Sequence, residues 1–456
     1  MAWVLRLVET GIDRPSRVID VLDIRPRGDL GDIADLGLTL SEAKQILARL
    51  QQALVAIQAD DHAVRRPACS GCGQACHVKD WRLHRVATLF GTVAIRLPRF
   101  RCASCDHGET GVSWPSYCRS TPELDQLRAH MSALMPYRVA AGLLGHILPV
   151  DAGTSPETLR GHTLKVGERL RDAAAVKCGP AVSAITVTVD STFIRGRHDG
   201  ERHLEVRVGN VETAGGSRQV FGAVAKSETE IAVMIRRCLE TVGRTADTEL
   251  TAFTDGAPGL RSILAEAGCK KPPIADWFHI AMRLQHAKQA ASGLSTDSPG
   301  RIQAKVVIVP EVERLHWRIW NGKAKNARRT LDRVRKVMHV FQGERSCRTT
   351  AVPSSRKLWR ALREVDTYLR GQSMRLVNYA KRYRAGLRVG TSITEGTANF
   401  LVNQRMNKAQ QMRWSRRGAD LLLQVRCAVC NGAFGSGLGN LFEPMSNTAQ
   451  KSLPVA

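Results

Sequence analysis

Three carboxylates and two cysteine pairs give this chain its chemistry. Asp190 closes the run AITVTVDST and Asp255 closes LTAFTDGAPG, each an acid at the end of an alternating apolar stretch. Glu395, in TSITEGTANF, is the only acidic residue between Asp366 and Asp420, an interval that holds eleven Lys and Arg. A surface that binds phosphate excludes carboxylates, which repel the ligand, so one that remains is explained by a cation seated between it and the phosphate. Two or three carboxylates that hold two Mg²⁺ (or Mn²⁺) ions about 3.5–4 Å apart make a phosphoryl-transfer site. Mg²⁺ suits it, because it takes few carboxylates and keeps positions for substrate oxygens. Plainer roles stand beside this one: an N-cap or turn acid for Asp255, and a first-turn acid favoured by the helix dipole for Glu395.

Six of the twelve cysteines fall between Cys69 and Cys118. Cys69/Cys72 and Cys102/Cys105 are two C-x2-C pairs, and the stretch between them is rich in Val, Thr, Ile and Phe around Gly91. That pattern predicts two knuckles joined by a β-hairpin, with four thiolates closing a tetrahedral shell around structural Zn²⁺. Cys76, His77 and Cys118 are alternative ligands, so the fourth position stays open at this point. Cys427 and Cys430 lack a second pair and read as plain thiols.

These residues need elements to hold them. A helical N-terminal region over 1–62 ends in TLSEAKQILARLQQALVAIQ, where Thr39 and Glu42 form a capping box and Ile46, Leu50, Ala53 and Ile57 make one stripe. The cysteine segment occupies 63–118, and residues 119–180 read as helices. In the last of these Ser155 is the N-cap, Pro156 the first helical residue, and Thr158 and Arg160 lie early on its surface, as in a helix-turn-helix that presents a helix start to the major groove. A plain helical linker is the alternative. From 181 to 290 three antiparallel strands precede a βαβ order, which predicts a mixed α/β sheet. Residues 291–390 read as a basic helical insertion; from Asn321 to Gly390 nineteen Lys and Arg face four acids, which supplies +15 of the chain's +25. Residues 391–430 return to the core, with a helix that resumes at Glu395 and runs past Trp414 to about Arg426, and 431–456 are a Gly- and Ser-rich flexible tail.

Such a charge implies a polyanionic partner rather than a fold. MAWVLRLVETG is interrupted too early by Arg6 and Glu9 to read as a signal peptide, and no run of about 18 apolar residues reads as a membrane span. The expectation is a soluble, cytoplasmic protein.

With these residues in view, the chain resembles the DDE transposases. Asp190 and Asp255 are 65 residues apart and Glu395 follows 140 later, a gap that fits an inserted domain. DWFH, from Asp276 to His279, resembles the D-x2-H signature of Mutator-like enzymes. TEGTANFLVNQRMNKAQQMRWSRRGADLLLQVR is similar to the glutamate helix and MRWS segment of ISKra- and ISL-like bacterial transposases. The resemblance implies an RNase H-like core in which Asp190, Asp255 and Glu395 bind two divalent ions. It implies that His279, with Asp276, supports the second-Asp loop or contacts scissile DNA, and that Arg413, Trp414, Arg416 and Arg417 bind DNA, with core packing as the alternative for Trp414. The implied partners are double-stranded DNA, as terminal inverted repeats and as target, and further copies of the chain in a homodimer or larger synaptic complex. The implied location is the bacterial nucleoid. Two rivals keep most of these features: a noncatalytic zinc-containing DNA-binding regulator, and a structure-specific nuclease without strand transfer.

Overall fold

A computed structural model describes residues 3–8, 18–24, 33, 36–109, 112, 119–172, 178–198, 200, 202–254, 258–345, 353–371, 375–391, 396–407 and 412–434. Asp255, Glu395, Cys118 and most of the expected tail lie outside the described residues. The chain is mixed α/β and divides into two compact units, Met1–Asp172 with Ala428–Ala456, and Ala173–Cys427.

The first unit opens with an antiparallel pair, β1 (Trp3–Val8) and β2 (Val18–Ile24), ahead of the expected helix α1 (Leu40–Val64). The purely helical reading of 1–62 is therefore corrected: WVLRLV, read above only as a candidate leader, and VIDVLDI are β-prone runs that pair with each other. At the start of α1 the capping box forms as expected, with Glu42 N–H donating to Thr39 Oγ1 (3.3 Å) and Thr39 N–H to Glu42 (2.8 Å). β3 (Cys76–Thr88) and β4 (Gly91–Cys102) make the expected hairpin, and short β5 (Gly108–Glu109) pairs with β4. Gly91 opens β4 at φ +102°, a backbone conformation other residues adopt only under strain. Three helices follow, α2 (Pro122–Leu134), α3 (Tyr137–Ile147) and α4 (Pro156–Asp172). Ser155 caps α4 by accepting Thr158 N–H (3.1 Å). Buried Asp125 ties α2 to α4, accepting from Ser120 Oγ (2.7 Å) and lying 2.7 Å from His162 Nδ1.

The second unit is built on a five-stranded sheet of β6 (Ala184–Arg195), β7 (His203–Thr213), β8 (Arg218–Val224), β9 (Glu249–Thr254) and β10 (Ile274–Ala275) in the order β10-β9-β6-β7-β8. β6, β7 and β8 are antiparallel neighbours, whereas β6, β9 and β10 run parallel. Alternation along the strands sends side chains to two opposite cores. Ile185, Val187, Val189, Phe221 and Ala223 pack on α5 (Glu228–Thr241) and α6 (Pro258–Glu266). Ile194, Leu204, Val206, Val208 and Val224 pack on a π-helix (Asn399–Asn407) and on residues of the last helix, which here takes the label α12 (Arg416–Cys430).

A third core belongs to the basic insertion. Helices α7 (Trp277–Ser292), α8 (Pro299–Trp320), α9 (Ala324–Val337) and α10 (Ser354–Gly371) enclose it, with Tyr379 of α11 (Tyr379–Arg384) and a 3₁₀ segment, Met338–Arg345. The insertion thus carries its own apolar centre while presenting cations outward. Among the described residues no helix is long and apolar enough to cross a membrane.

Candidate metal centre and carboxylate site

The two knuckles are built alike from local sequence. In the first, Gly71 N–H donates to Cys69 Sγ (3.3 Å) and Gly73, just after Cys72, turns the chain at φ +76°. In the second, Ser104 N–H donates to Cys102 Sγ (3.4 Å) and Asp106, just after Cys105, turns it at φ 60°. Asp is among the few residues besides Gly that tolerate this left-handed region. The hairpin brings the knuckles together: Cys69 Sγ lies 3.4 Å from Cys105 Sγ, and Cys72 Sγ 3.4 Å from Cys102 Sγ. All four sulfurs lie within 4.8 Å of one another, so the expected ligand set is assembled.

Backbone N–H groups of Cys105 and Ser104 hold the Cys102 thiol down at about 6, which favours its thiolate. For Cys105 the His107 N–H pulls the same way, but bonds with Cys69 and Cys72 outweigh it and push that thiol up to about 12. Four close sulfurs resist carrying four charges together; a divalent cation removes the conflict by binding all of them as thiolates. The donor set fits a closed structural zinc site, with no position left for a substrate. Cys76 stands outside the tetrad, buried with Phe100 beside it, and burial raises its thiol, so its place is in the packing under the site.

The residues around the expected carboxylates are tied together over a much longer stretch of chain. Asp190 does not end its strand as expected. β6 continues to Arg195, because STFIR goes on pairing with β7. Among the described residues the last parallel pair is Val189 with Thr254, next to Asp190. Asp190 therefore occupies the carboxyl end of the parallel part of the sheet, where open α/β sheets place their ligand sites. By alternation it shares the face of Ile194, the face covered by the π-helix. Its Oδ1 accepts the Ser191 N–H (2.8 Å).

Asp276 joins the remaining pieces. It is fully buried and caps α7 by accepting the Phe278 N–H (2.9 Å). Its own N–H donates to Thr254 O (3.1 Å), on the residue before Asp255. Its carboxylate accepts the Thr391 N–H (2.8 Å) and the Thr391 hydroxyl, four residues before Glu395. Gly390 is required beside it, since a Cβ there would stand 2.6 Å from Asp276 Oδ1. His279 Nε2 lies 3.6 Å from Asp276 Oδ2 and stays partly exposed. Sequence reasoning singled out Asp276 and His279 as a pair but missed Thr391 and Gly390; the GT dipeptide near an expected helix start was the only signal.

After Glu395 the continuous helix expected through Trp414 is replaced by the π-helix, an extended segment and then α12. Wider π-turns leave backbone carbonyls to satisfy. Buried Arg426 does this, its Nε donating to Leu401 O (2.7 Å) and its Nη2 to Phe400 O. Trp414 is only 5% exposed and its Nε1 donates to Met406 O (3.0 Å). It packs in the core and offers no face for a base to stack on, which corrects its assignment to DNA binding. Arg413, Arg416 and Arg417 are exposed.

Four of the eleven cations that flank Glu395 in the sequence are engaged within the fold. Arg370 bonds Asp366, Arg382 Nε donates to Arg388 O (2.9 Å), Arg388 bonds Glu212, and Arg405 is buried over Trp414, so these four serve the fold. The insertion, by contrast, opens a cleft of ≈ 1060 Å³ whose lining includes Arg356, Lys357, Arg360 and Arg363 of α10. Compared with known proteins, the chain matches no protein-family model and no curated protein.

Proposed function

We propose that this protein is a DDE-type transposase with an RNase H-like core, cutting DNA at the ends of a mobile element and joining the freed 3′-hydroxyls to target DNA. The observation that carries this reading is the Asp276 tie. One buried residue links the chain just before Asp255, through its backbone N–H, to the chain just before Glu395, through its carboxylate, at the end of the sheet where Asp190 stands. Three antiparallel strands followed by two parallel ones, with helices on both faces, support it further.

Asp190, Asp255 and Glu395 would hold Mg²⁺ or Mn²⁺, whose chemistry is to acidify the attacking water or 3′-hydroxyl and to stabilise the leaving oxygen. Asp190 suits such a set, being a half-buried carboxylate at the open end of parallel strands. Asp276 and Thr391 fix the approach of the two flanking segments, and His279 stands at the rim with its ring partly exposed. The zinc hairpin and the helices that follow recognise the terminal inverted repeats, while the insertion's α10 cations grip phosphates without regard to sequence. Two ends must be held together, which calls for a dimer or larger assembly working on nucleoid DNA.

The test is Mg²⁺-dependent nicking and joining of a duplex that carries the element's own ends, comparing wild type with Glu395→Gln. Wild type should cut and join; the variant should bind DNA and do neither. Equal behaviour of the two would sink the metal-ligand role of Glu395. Cutting without joining would favour a structure-specific nuclease, and binding without cutting a noncatalytic regulator.

A further inference from the structure

At the far end of β6 the chain turns from Arg195 back into β7 at His203, and a third segment joins the turn. Gly196 N–H donates to Arg202 O, Trp414 N–H to Arg195 O and Arg197 N–H to Trp414 O, each at 2.9 Å. Trp414, held in the core, pins the third segment in place. The backbone on all three sides is thereby fixed, and beside it opens a half-open cavity of ≈ 320 Å³ lined by Arg195, Gly196, His198, Arg202, His203 and Arg413.

Five of these six residues carry guanidinium or imidazole groups, and none of the five side chains makes a hydrogen bond or ion pair among the described residues. Two other arginines of this unit are partnered: Arg207 Nε lies 3.1 Å from Glu205, and Arg388 bonds Glu212. The five exposed side chains line one opening, where an anion would relieve the repulsion among like charges, and guanidinium forks match phosphate oxygens two at a time. We infer that this cavity is a pocket for a single phosphodiester of a nucleic-acid backbone, with Trp414 as the buried anchor that delivers Arg413 to it.

The pocket stands without the transposase reading, but its spacing from the carboxylates rests on it. Arg195 is five residues along β6 from Asp190, about 17 Å at ~3.4 Å per residue. Phosphates of one duplex strand advance about 3.4 Å along the axis. For a duplex lying along β6, the gripped phosphate is therefore about five base pairs along the axis from the scissile one, about half a helical turn, on whichever strand faces the protein there.

Two measurements on the full chain test this. The first is fluorescence anisotropy of a labelled duplex of unrelated sequence over a salt series, for wild type, Arg195→Gln/Arg413→Gln and Arg195→Lys/Arg413→Lys. The glutamine pair should bind about tenfold more weakly, with a slope of log K against log salt shallower by about 0.9 per lost phosphate contact. The lysine pair should recover most of the slope, which a merely structural defect would not do. Unchanged affinity and slope in the glutamine pair overturn the pocket, as does equal weakening in both variants. If inorganic phosphate protects the wild type against thermal unfolding while the glutamine pair binds DNA normally, the pocket takes free phosphate and the nucleic-acid assignment falls. The second is phosphate-ethylation interference on a cleavable end, with interference expected about five base pairs from the cut, on either strand, and its absence there overturning the spacing. A wild type that cleaves nothing overturns the transposase reading and the spacing with it, while the anisotropy result still decides the pocket.

Discussion

The cysteine hairpin and the carboxylate-bearing sheet are both tied together by specific contacts, but over different lengths of chain. The hairpin gathers Cys69, Cys72, Cys102 and Cys105 through two five-residue turns and one pair of strands. The sheet needs Val189 against Thr254, Asp276 on Thr254, and Thr391 on Asp276, contacts separated by up to 115 residues. A locally built site needs an external bond to hold it, because little apolar core surrounds its sulfurs: Cys69, Cys76, Phe100 and Cys102 with Val78. A site built at long range inherits its rigidity from the cores on both faces of the sheet and from the buried polar tie between its segments.

The largest effect expected from this difference is on metal removal. Structural zinc contributes about 10–16 kcal/mol to folding in zinc-finger peptides. Chelation, or Cys102→Ser, should release one zinc per chain and expose the β3–β4 amides to hydrogen exchange. The β6–β9 amides should keep their protection in the same sample. Hairpin amides that stay protected without metal would show that the hairpin is held by packing, and the contrast with the sheet would collapse.

Next in size is the Asp276 tie. Asp276→Ala leaves the Phe278 and Thr391 N–H groups without their acceptor, at about 1–3 kcal/mol for each buried donor. The urea midpoint should fall with little change in slope, and exchange should quicken first at Thr391 and Phe278. Gly390→Ala should act in the same direction, through its Cβ contact with Asp276, by about 1–3 kcal/mol. Both variants should leave zinc content unchanged. If neither lowers stability, Asp276 is a cap for α7 and nothing more.

The same contrast explains what could be read in the sequence. Both knuckles, the hairpin with Gly91 at its turn, the capping box of α1 and the strand alternation were legible, since each is written in a handful of neighbouring residues. The mixed α/β class followed from three meander strands ahead of a βαβ unit. Trp414 and the π-helix were not legible, because a tryptophan among arginines reads equally as a stacking platform or a core anchor. Only its packing with Met406 and Val402 decides between them. The N-terminal strands were missed because WVLRLV was weighed only as a leader. The cavity between Arg195 and Arg413 lay hidden for another reason: its walls are 218 residues apart and meet through the single bridge from Gly196 to Trp414.

The smallest expected effect tests whether locally written parts also matter inside the long-range unit. The capping box of α5 joins Ser227 and Glu230, with Ser227 N–H donating to Glu230 (3.0 Å), Glu230 N–H to Ser227 Oγ (3.2 Å) and Lys226 Nζ 3.0 Å away. The Ser227 N–H, then Lys226 and the Ser227 hydroxyl, hold the Glu230 carboxyl down at about 2, below its ordinary 4.5. A carboxylate depressed on folding adds stability above its unfolded value and loses it as pH falls through its folded one. The charge contribution of Glu230 should therefore be complete above pH 4.5 and vanish toward pH 2. Glutamine keeps the reciprocal bond but not the charge, so wild type and Glu230→Gln should differ slightly in urea midpoint at pH 7 and converge over that window. A difference that stays constant with pH would mean that the box works through geometry alone. Stability of the sheet unit would then depend on its long-range ties, with its local charges adding nothing.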